Sequence, residues 1–202
     1  MFTGLIEAVG KVAVVKAIDA GFNLRISSDI AGDLRPGESI SVNGVCLTVV
    51  EKGVAPPDHF FSAEIGPETA KVTSLGALSE GSLVNLERAM LANGRFGGHM
   101  VLGHVDGTGT IQSIRAEAEF SWITVSYPAA LAPYLIHRGS VAVDGISLTV
   151  AKLDTATFDV QVVPFTLSHT NLRNARAGDR VNLECDMVGK YVLRAMEVLA
   201  HR

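Results

Sequence analysis

The chain has little charge and no long apolar run, and each shortage removes a class of protein. Charged residues make up 19% of its 202 residues and hydrophobic residues 48%, a balance that excludes a disordered chain. The formal net charge of −4 argues against nucleic acid as a partner. No apolar run reaches the roughly 18 residues of a membrane-spanning helix, so we expect no membrane association.

Cysteine is also scarce, since Cys46 and Cys185 are the only two. Two cysteines are too few for a disulfide framework or a cysteine-only metal site. His99 and His104 have no nearby acid or cysteine that completes a metal-ligand pattern, so we expect no metal. The first residues lack the basic and apolar regions of a secretory signal, which predicts a cytoplasmic protein. The surplus of apolar residues over charge predicts a large core, an oligomer interface or a pocket for an apolar ligand.

The sequence does contain an internal repeat. Three blocks recur in the same order: 1–12 matches 100–111, 41–49 matches 142–150, and 68–87 matches 165–184. The offsets between the matching blocks differ only by loop-sized insertions, so chance is a poor explanation. We therefore expect two copies of one domain, at 1–97 and 98–186, followed by a tail at 187–202.

Each copy has the pattern of an all-β domain. Runs rich in Val, Ile, Thr and Phe alternate with turn residues at the spacing of a small barrel or sandwich. The candidate strands of the first copy are 10–17, 23–27, 39–49, 60–65 and 83–86, with turns at 35–37 and 55–58. Short helices or turns are expected at 69–78 and 166–175.

The tail has helical periodicity. Val188, Val192, Ala195 and Leu199 share one helical face, and Asp186 is a candidate N-cap. This face either packs on the chain's own barrel or joins copies of the chain, because a helix this short is marginal alone.

The most informative stretch is 43–49 with its twin 144–150. Strand alternation places Val45, Leu47 and Val49, and likewise Ile146, Leu148 and Val150, on the barrel interiors. Outward-facing positions then hold Cys46, Thr48, Ser147 and Thr149. These polar pairs are either solvated or face a ligand. A hydrolytic triad of Ser147, His104 and Asp144 is disfavoured because the nucleophile-elbow pattern is absent, and Cys46 alone is more typical of a structural cysteine than of a nucleophile.

Segments 1–4, 43–49, 97–105 and 144–150 together resemble the riboflavin synthase family, over essentially the whole chain. The resemblance implies two six-stranded Greek-key barrels with a C-terminal helix, assembled as a homotrimer without cofactor or metal. It also implies that two 6,7-dimethyl-8-ribityllumazine molecules react, one donating a four-carbon unit to the other. The products are riboflavin and 5-amino-6-ribitylamino-uracil. Association with lumazine synthase is a further expectation.

The resemblance also implies two pockets that meet between the N-barrel of one subunit and the C-barrel of its neighbour. One pocket is lined by Gly4, Leu5, Ile6, Ser147, Leu148, Thr149, Val162, Val163, Pro164, Phe165, Thr166 and Leu167. The other is lined by Cys46, Leu47, Thr48, Glu64, Ile65, Gly66, Pro67, Glu68, Thr69, Gly103, His104, Val105 and Arg138. The candidates for proton shuttling, nucleophile activation or orientation are Cys46, Ser39, His104, Ser147 and Thr149.

The chain departs from the family pattern at two pocket positions. Phe165 stands where Glu or His is common, and Arg138 replaces a common lysine, which changes the donor geometry. The alternative function is a non-catalytic lumazine- or flavin-binding antenna or carrier on the same fold. The intact 1–4 start and both Leu-Thr-Val blocks favour the enzyme. The flavin-binding barrel of a reductase is disfavoured because no nicotinamide-binding domain follows.

Overall fold

The computed structural model describes residues 1–55 and 58–200. They form two closed, six-stranded antiparallel barrels followed by a helix. The centre of the turn predicted at 55–58 lies outside the described residues. Within the described ranges, no helix is long and apolar enough to cross a membrane.

The two barrels have the same topology. The first contains β1 (Ala8–Ile18), β2 (Gly21–Ser27), β3 (Ser39–Val42), β4 (Val45–Ala55), β5 (Asp58–Ile65) and β6 (Leu83–Arg88). The second contains β7 (Gly107–Glu117), β8 (Phe120–Ser126), β9 (Ser140–Val143), β10 (Ile146–Leu153), β11 (Thr157–Val162) and β12 (Arg180–Cys185). Around each barrel the order is β1-β2-β5-β4-β3-β6 or its counterpart β7-β8-β11-β10-β9-β12.

Short helices occur at equivalent places in the two halves. The α-helices are α1 (Pro67–Val72), α2 (Pro164–His169) and α3 (Met187–Ala200), and the 3-10 turns are Asp29–Asp33, Ser74–Ala77, Ala129–Tyr134 and Asn171–Asn174. Both regions predicted to hold a short helix or turn therefore do so.

The predicted strand 39–49 is in fact two strands joined by a tight turn. Asn43 and Gly44 have φ of 46° and 76°, and Asp144 and Gly145 repeat this with 46° and 79°. Two consecutive positive φ angles give the turn that suits the twist of a hairpin. The two hairpin tips meet, because a Cβ on Gly44 would lie 2.6 Å from the Gly145 nitrogen. Glycine is therefore required where the barrels touch.

Each barrel has its own apolar core. Val45, Leu47 and Val49 are buried in the first core. Ile146 and Val150 are buried in the second, and Leu148 packs against it. The predicted alternation along both strands is confirmed.

A buried polar network fixes one barrel against the other. Asn85 Nδ2 donates to the Asp144 carbonyl at 3.0 Å, and Asn182 Nδ2 donates to the Asn43 carbonyl at 2.8 Å. The last strand of each barrel thus holds the hairpin of the other. Asn171 adds a donor to the Asp144 carboxylate at 2.9 Å. Because every bond in this set crosses or flanks the contact, the two barrels keep a fixed pseudo-twofold arrangement.

Asp144→Asn is expected to change how stability depends on pH. Burial raises the pKa of Asp144 from 3.8 to about 6. The folded state therefore binds this proton more tightly, and the associated stability is lost as pH rises from about 4 to 6. Since the asparagine side chain of the variant cannot ionise, the free energy of unfolding of the variant minus that of the wild type should rise by about 2 kcal/mol between pH 4 and 7. Urea unfolding at fixed protein concentration measures this difference.

Asp19→Asn is the control for that experiment, because Asp19 is exposed in the turn between β1 and β2. A difference between Asp144→Asn and wild type that stays constant with pH would contradict the assignment.

Helix α3 does not pack its apolar face on its own barrel. Val188, Val192 and Leu199 are 60%, 52% and 66% exposed. The helix is joined to the barrel at its start, where Lys190 Nζ lies 2.6 Å from the Asp106 carboxylate. Asp186 Oδ1 accepts from the Val188 N–H at 3.0 Å, as predicted for a cap. The structure therefore contradicts the first of the two alternatives for this face.

Candidate functional site

The first barrel contains a seam where two neighbouring strands stop pairing. The β4–β5 register begins at Val49–Ala63 and runs away from Thr48 and Glu64. The Val49 N–H donates to the Glu38 carbonyl at 2.9 Å, on the β3 side. Because backbone groups alternate sides along a strand, Thr48 turns its N–H and C=O toward Glu64. The β4–β5 register stops at this pair.

The second barrel has the same seam. The β10–β11 register begins at Val150–Val160, and the Val150 N–H donates to the Gly139 carbonyl at 3.0 Å, on the β9 side. The same alternation turns the backbone groups of Thr149 toward Gln161. One chain therefore carries two equivalent seams, each at the end of a β-ladder.

Each seam is closed at one end by a segment from the other half of the chain. The Cys46 N–H donates to the Gly103 carbonyl at 2.9 Å, and the Ser147 N–H donates to the Gly4 carbonyl at 2.8 Å. Beyond these bonds, Val105 packs against the first core. Its counterpart Ile6 packs against the second core. We call residues 4–6 and 103–105 the crossing segments. At each seam the structure brings together the crossing segment and the strand that the sequence assigned to one pocket.

Two buried glutamates hold the crossing segments. Glu87 accepts from the N–H of Thr3 at 2.6 Å and of Gly4 at 2.9 Å. Glu184 accepts from the N–H of Leu102, Gly103 and His104 at 2.7, 2.9 and 3.1 Å. Burial raises the pKa of both carboxyls. Sequence reasoning did not select these glutamates, although both end the repeated Val-Asn-Leu-Glu block.

Phe2 anchors the place where the segments pass each other. Its N–H donates to the Val101 carbonyl at 2.7 Å, and the Val101 N–H donates back at 3.2 Å. Phe2, Val101 and Ala142 form a small buried cluster against which Cys46 packs. The position of one anchor therefore determines the geometry next to both pockets.

His99 lies beside the second seam, and sequence reasoning did not select it for the site. Its Nδ1 lies 2.7 Å from Ser147 Oγ, and burial lowers the pKa of the imidazole. Its Nε2 is buried without a hydrogen-bond partner among the residues that the structure describes. A neutral imidazole in this position can accept the Ser147 proton or orient the hydroxyl. The available signal was its place directly before the Met that starts the second repeat.

The other proposed chemical groups lie along the outer surface of the seams. Ser39 stands directly opposite Thr48 in the β3–β4 register, so their side chains share one face. Thr48, Thr149 and His104 are exposed, and Cys46 and Ser147 are half-buried. Leu47, Leu148, Ile65 and Val162 point their side chains into the cores, so only their backbone is available to a ligand.

The remaining pocket residues lie on helices that directly follow the seam strands. Gly66 precedes α1, which contains Pro67, Glu68 and Thr69, and Val163 precedes α2, which contains Pro164, Phe165, Thr166 and Leu167. Arg138 lies instead on the second barrel, in the turn before β9, where its N–H donates to the Val150 carbonyl at 2.8 Å. It joins the first barrel's pocket only if another copy of the chain brings it there.

The two cysteines differ in environment. Burial raises the pKa of the Cys185 thiol to about 12, which makes it an inert core residue. Cys46 is half-buried beside the first seam.

Comparison with known proteins identifies the family of the chain. A family model described as a lumazine binding domain matches residues 3–89 and again 102–186. Riboflavin synthase of Bacillus amyloliquefaciens is 45% identical over 195 residues, which cover 96% of this chain and 89% of that protein. The chain belongs to the riboflavin synthase family. The riboflavin synthases of Actinobacillus pleuropneumoniae and Schizosaccharomyces pombe are 46% and 39% identical, over 95% and 98% of this chain and 88% and 94% of those proteins.

Solved structures similar to this riboflavin synthase-family chain share its fold. The crystal structure of LumP complexed with riboflavin superposes with a TM-score of 0.82 at 22% identity, covering 92% of this chain and 99% of that one. LumP complexed with 6,7-dimethyl-8-(1'-D-ribityl) lumazine gives 0.80 at the same identity and coverage. The duplicated six-stranded barrels and the family membership expected from sequence are both confirmed, and the curated relatives are enzymes of this family.

Proposed function

We propose that the chain is a riboflavin synthase that converts two 6,7-dimethyl-8-ribityllumazine molecules into riboflavin and 5-amino-6-ribitylamino-uracil. The observation that carries this proposal is the pair of equivalent seams, Thr48–Glu64 and Thr149–Gln161, in one chain. A reaction between two identical molecules requires two similar pockets. The curated relatives named riboflavin synthase support the activity, and the LumP complexes support the ligand class.

The backbone at the end of each β-ladder suits a flat heteroaromatic ligand. A strand edge presents N–H donors and C=O acceptors in alternation, as the edge of a lumazine ring does. A few such contacts fix the orientation of a ring in a compact site. Beside each seam, one of the crossing segments 4–6 and 103–105 forms the second wall of the proposed pocket.

The proposed chemistry begins with removal of a proton from the C7 methyl of one lumazine. The resulting carbanion attacks C6 or C7 of the other, and the four-carbon unit that one molecule loses is the unit that the other gains. Ser39, Cys46, His104, Ser147 and Thr149 are the proposed proton-transfer or orienting groups. Holding two substrates in register contributes on the order of 7–11 kcal/mol to such a reaction.

We also propose the assembly implied by the family resemblance. The domain boundaries are 1–97, 98–186 and 187–202, and α3 joins three copies so that the N-barrel pocket of one faces the C-barrel pocket of another. The exposed apolar side chains of α3 support this role. Arg138 then reaches a neighbour's pocket. A cytoplasmic location and association with lumazine synthase complete the proposal.

Incubation of the purified chain with 6,7-dimethyl-8-ribityllumazine tests the activity. We expect riboflavin and 5-amino-6-ribitylamino-uracil to appear in equal amounts, measured by chromatography with absorbance detection. Lumazine that binds but is recovered unchanged would favour the alternative, a carrier or antenna protein.

The double variant Val192→Glu, Leu199→Glu tests the assembly. Both side chains lie on the exposed apolar face, and Glu is a good helix former, so α3 is retained while its face becomes charged. Sedimentation velocity should show monomers, and riboflavin formation should fall at least about tenfold because the facing pockets separate. Glu197→Gln, on the opposite face of the helix, is the matched control. A double variant of unchanged size would refute the role of α3.

A further inference from the structure

The two pockets differ in chemistry at three pairs of equivalent positions. At the seam, the first pocket has Glu64 and the second has Gln161. At the second residue of the following helix, the first pocket has Glu68 and the second has Phe165. After the glycine of the crossing segment, the first pocket has His104 and the second has Leu5. All six side chains are exposed. The first pocket therefore carries three ionisable groups at positions where the second carries none.

Phe165 is held in place at the rim of the second pocket. Its ring stacks on that of His169, with centroids 4.0 Å apart and planes at 15°. His169 Nδ1 lies 2.9 Å from the Phe165 carbonyl, which fixes the imidazole one turn along α2. Phe165 is nevertheless 69% exposed. The outer surface of the pair is thus an ordered aromatic face that the described residues leave open.

A further aromatic residue lies beside the second seam. Trp122 on β8 is paired in register with Gln161 on β11, and α2 packs against β8. The corresponding surface of the first barrel has Asn23 paired with Glu64. Trp122 therefore lies beside the second seam, with Lys152 Nζ 5.1 Å from the centroid of its ring.

We propose that the two pockets divide the recognition of ribityllumazine. The first pocket selects the polyol chain through the carboxylates of Glu64 and Glu68, and the second selects the flat ring through Phe165 braced by His169. A carboxylate accepts strong hydrogen bonds from hydroxyl groups. An aromatic face stacks on a ring but offers no acceptor to a polyol. This inference rests on the proposed function, because it takes ribityllumazine as the ligand of both pockets.

Two probes test the division: 6,7-dimethyl-8-ribityllumazine and 6,7,8-trimethyllumazine, which has the same ring with a methyl group in place of the ribityl chain. Trp122 is the only tryptophan of the chain, so quenching of its fluorescence reports the second pocket. The change in lumazine fluorescence measures total binding. Subtracting the binding at the second pocket then gives the binding at the first pocket. We expect the first pocket to prefer the ribityl probe by about tenfold or more, and the second pocket to bind both probes within about threefold.

Three substitutions sharpen the test. Phe165→Glu should give the second pocket about tenfold more preference for the ribityl probe. The reciprocal change Glu68→Phe should remove a similar preference from the first pocket. Phe165→Leu should weaken the binding of both probes at the second pocket by the same factor, because it removes the aromatic face without adding an acceptor.

Equal probe preference in both wild-type pockets would overturn the inference, as would a preference that neither Phe165→Glu nor Glu68→Phe alters. Binding is measured without turnover, so the result separates from that of the activity assay. Divided recognition without riboflavin formation would leave the inference standing and refute the proposed function. Riboflavin formation together with equal probe preferences in both pockets would support the proposed function and overturn the inference.

Discussion

Phe2→Ala should lower riboflavin formation by about 100-fold and the free energy of unfolding by about 3–5 kcal/mol, the usual cost of emptying a buried phenylalanine site. Phe2 is fully buried with Val101 and Ala142 where the crossing segments meet. Loss of the ring leaves a cavity beside Val101 and Ala142. The crossing segments that bind Ser147 and Cys46 then lose their anchor. Misplacement by about 1 Å at such a point can cost about 100-fold in rate.

Urea unfolding and the riboflavin assay measure the two effects together. Phe2→Leu is the matched control, because it retains an apolar side chain and should keep most of the stability. Wild-type activity in Phe2→Ala would show that the crossing does not position the pockets.

Glu184→Ala has the second large expected effect. The carboxylate accepts from three successive backbone N–H groups, those of Leu102, Gly103 and His104. Each buried N–H left without an acceptor costs about 1–3 kcal/mol, so the free energy of unfolding should fall by about 3 kcal/mol or more. Because the Gly103 carbonyl is then no longer held against Cys46, riboflavin formation should fall more than folding alone explains.

Glu184→Gln should have an intermediate effect, since its amide retains one acceptor oxygen. Glu117→Ala, on an exposed strand end, is the control for loss of a negative charge. Equal stability and equal activity in Glu184→Ala and Glu117→Ala would remove Glu184 from the site. Activity is assayed at a temperature where each variant remains folded by circular dichroism.

The fold was largely predictable because it depends on local signals that the repeat displays twice. Alternation along 45–49 and 146–150 located both barrel interiors, and a positive-φ turn was implicit in Asn43-Gly44. The predicted strand 39–49 ran through that turn, since Ser, Val and Thr on both sides have the same strand pattern.

The site was less predictable because its defining contacts join distant parts of the chain. Nothing local to Thr48 or Glu64 indicates that the strands stop pairing between them. The contact of His99 with Ser147 depends on the path of the segment between the barrels. The family resemblance implied a set of pocket residues, which stays a prediction, and it selected neither His99 nor the two glutamates that hold the crossing segments.

The crossing segments also determine when, during synthesis, each pocket can be completed. The first barrel can fold as it leaves the ribosome, because domains generally fold as units from the N-terminus. Its seam nevertheless stays unclosed until Gly103 and Val105 have been made. Residues 1–6, by contrast, are the earliest to emerge and must wait for Ser147 before they find their partner. A nascent chain that ends before Gly103 therefore has a first barrel whose seam lacks its closing segment.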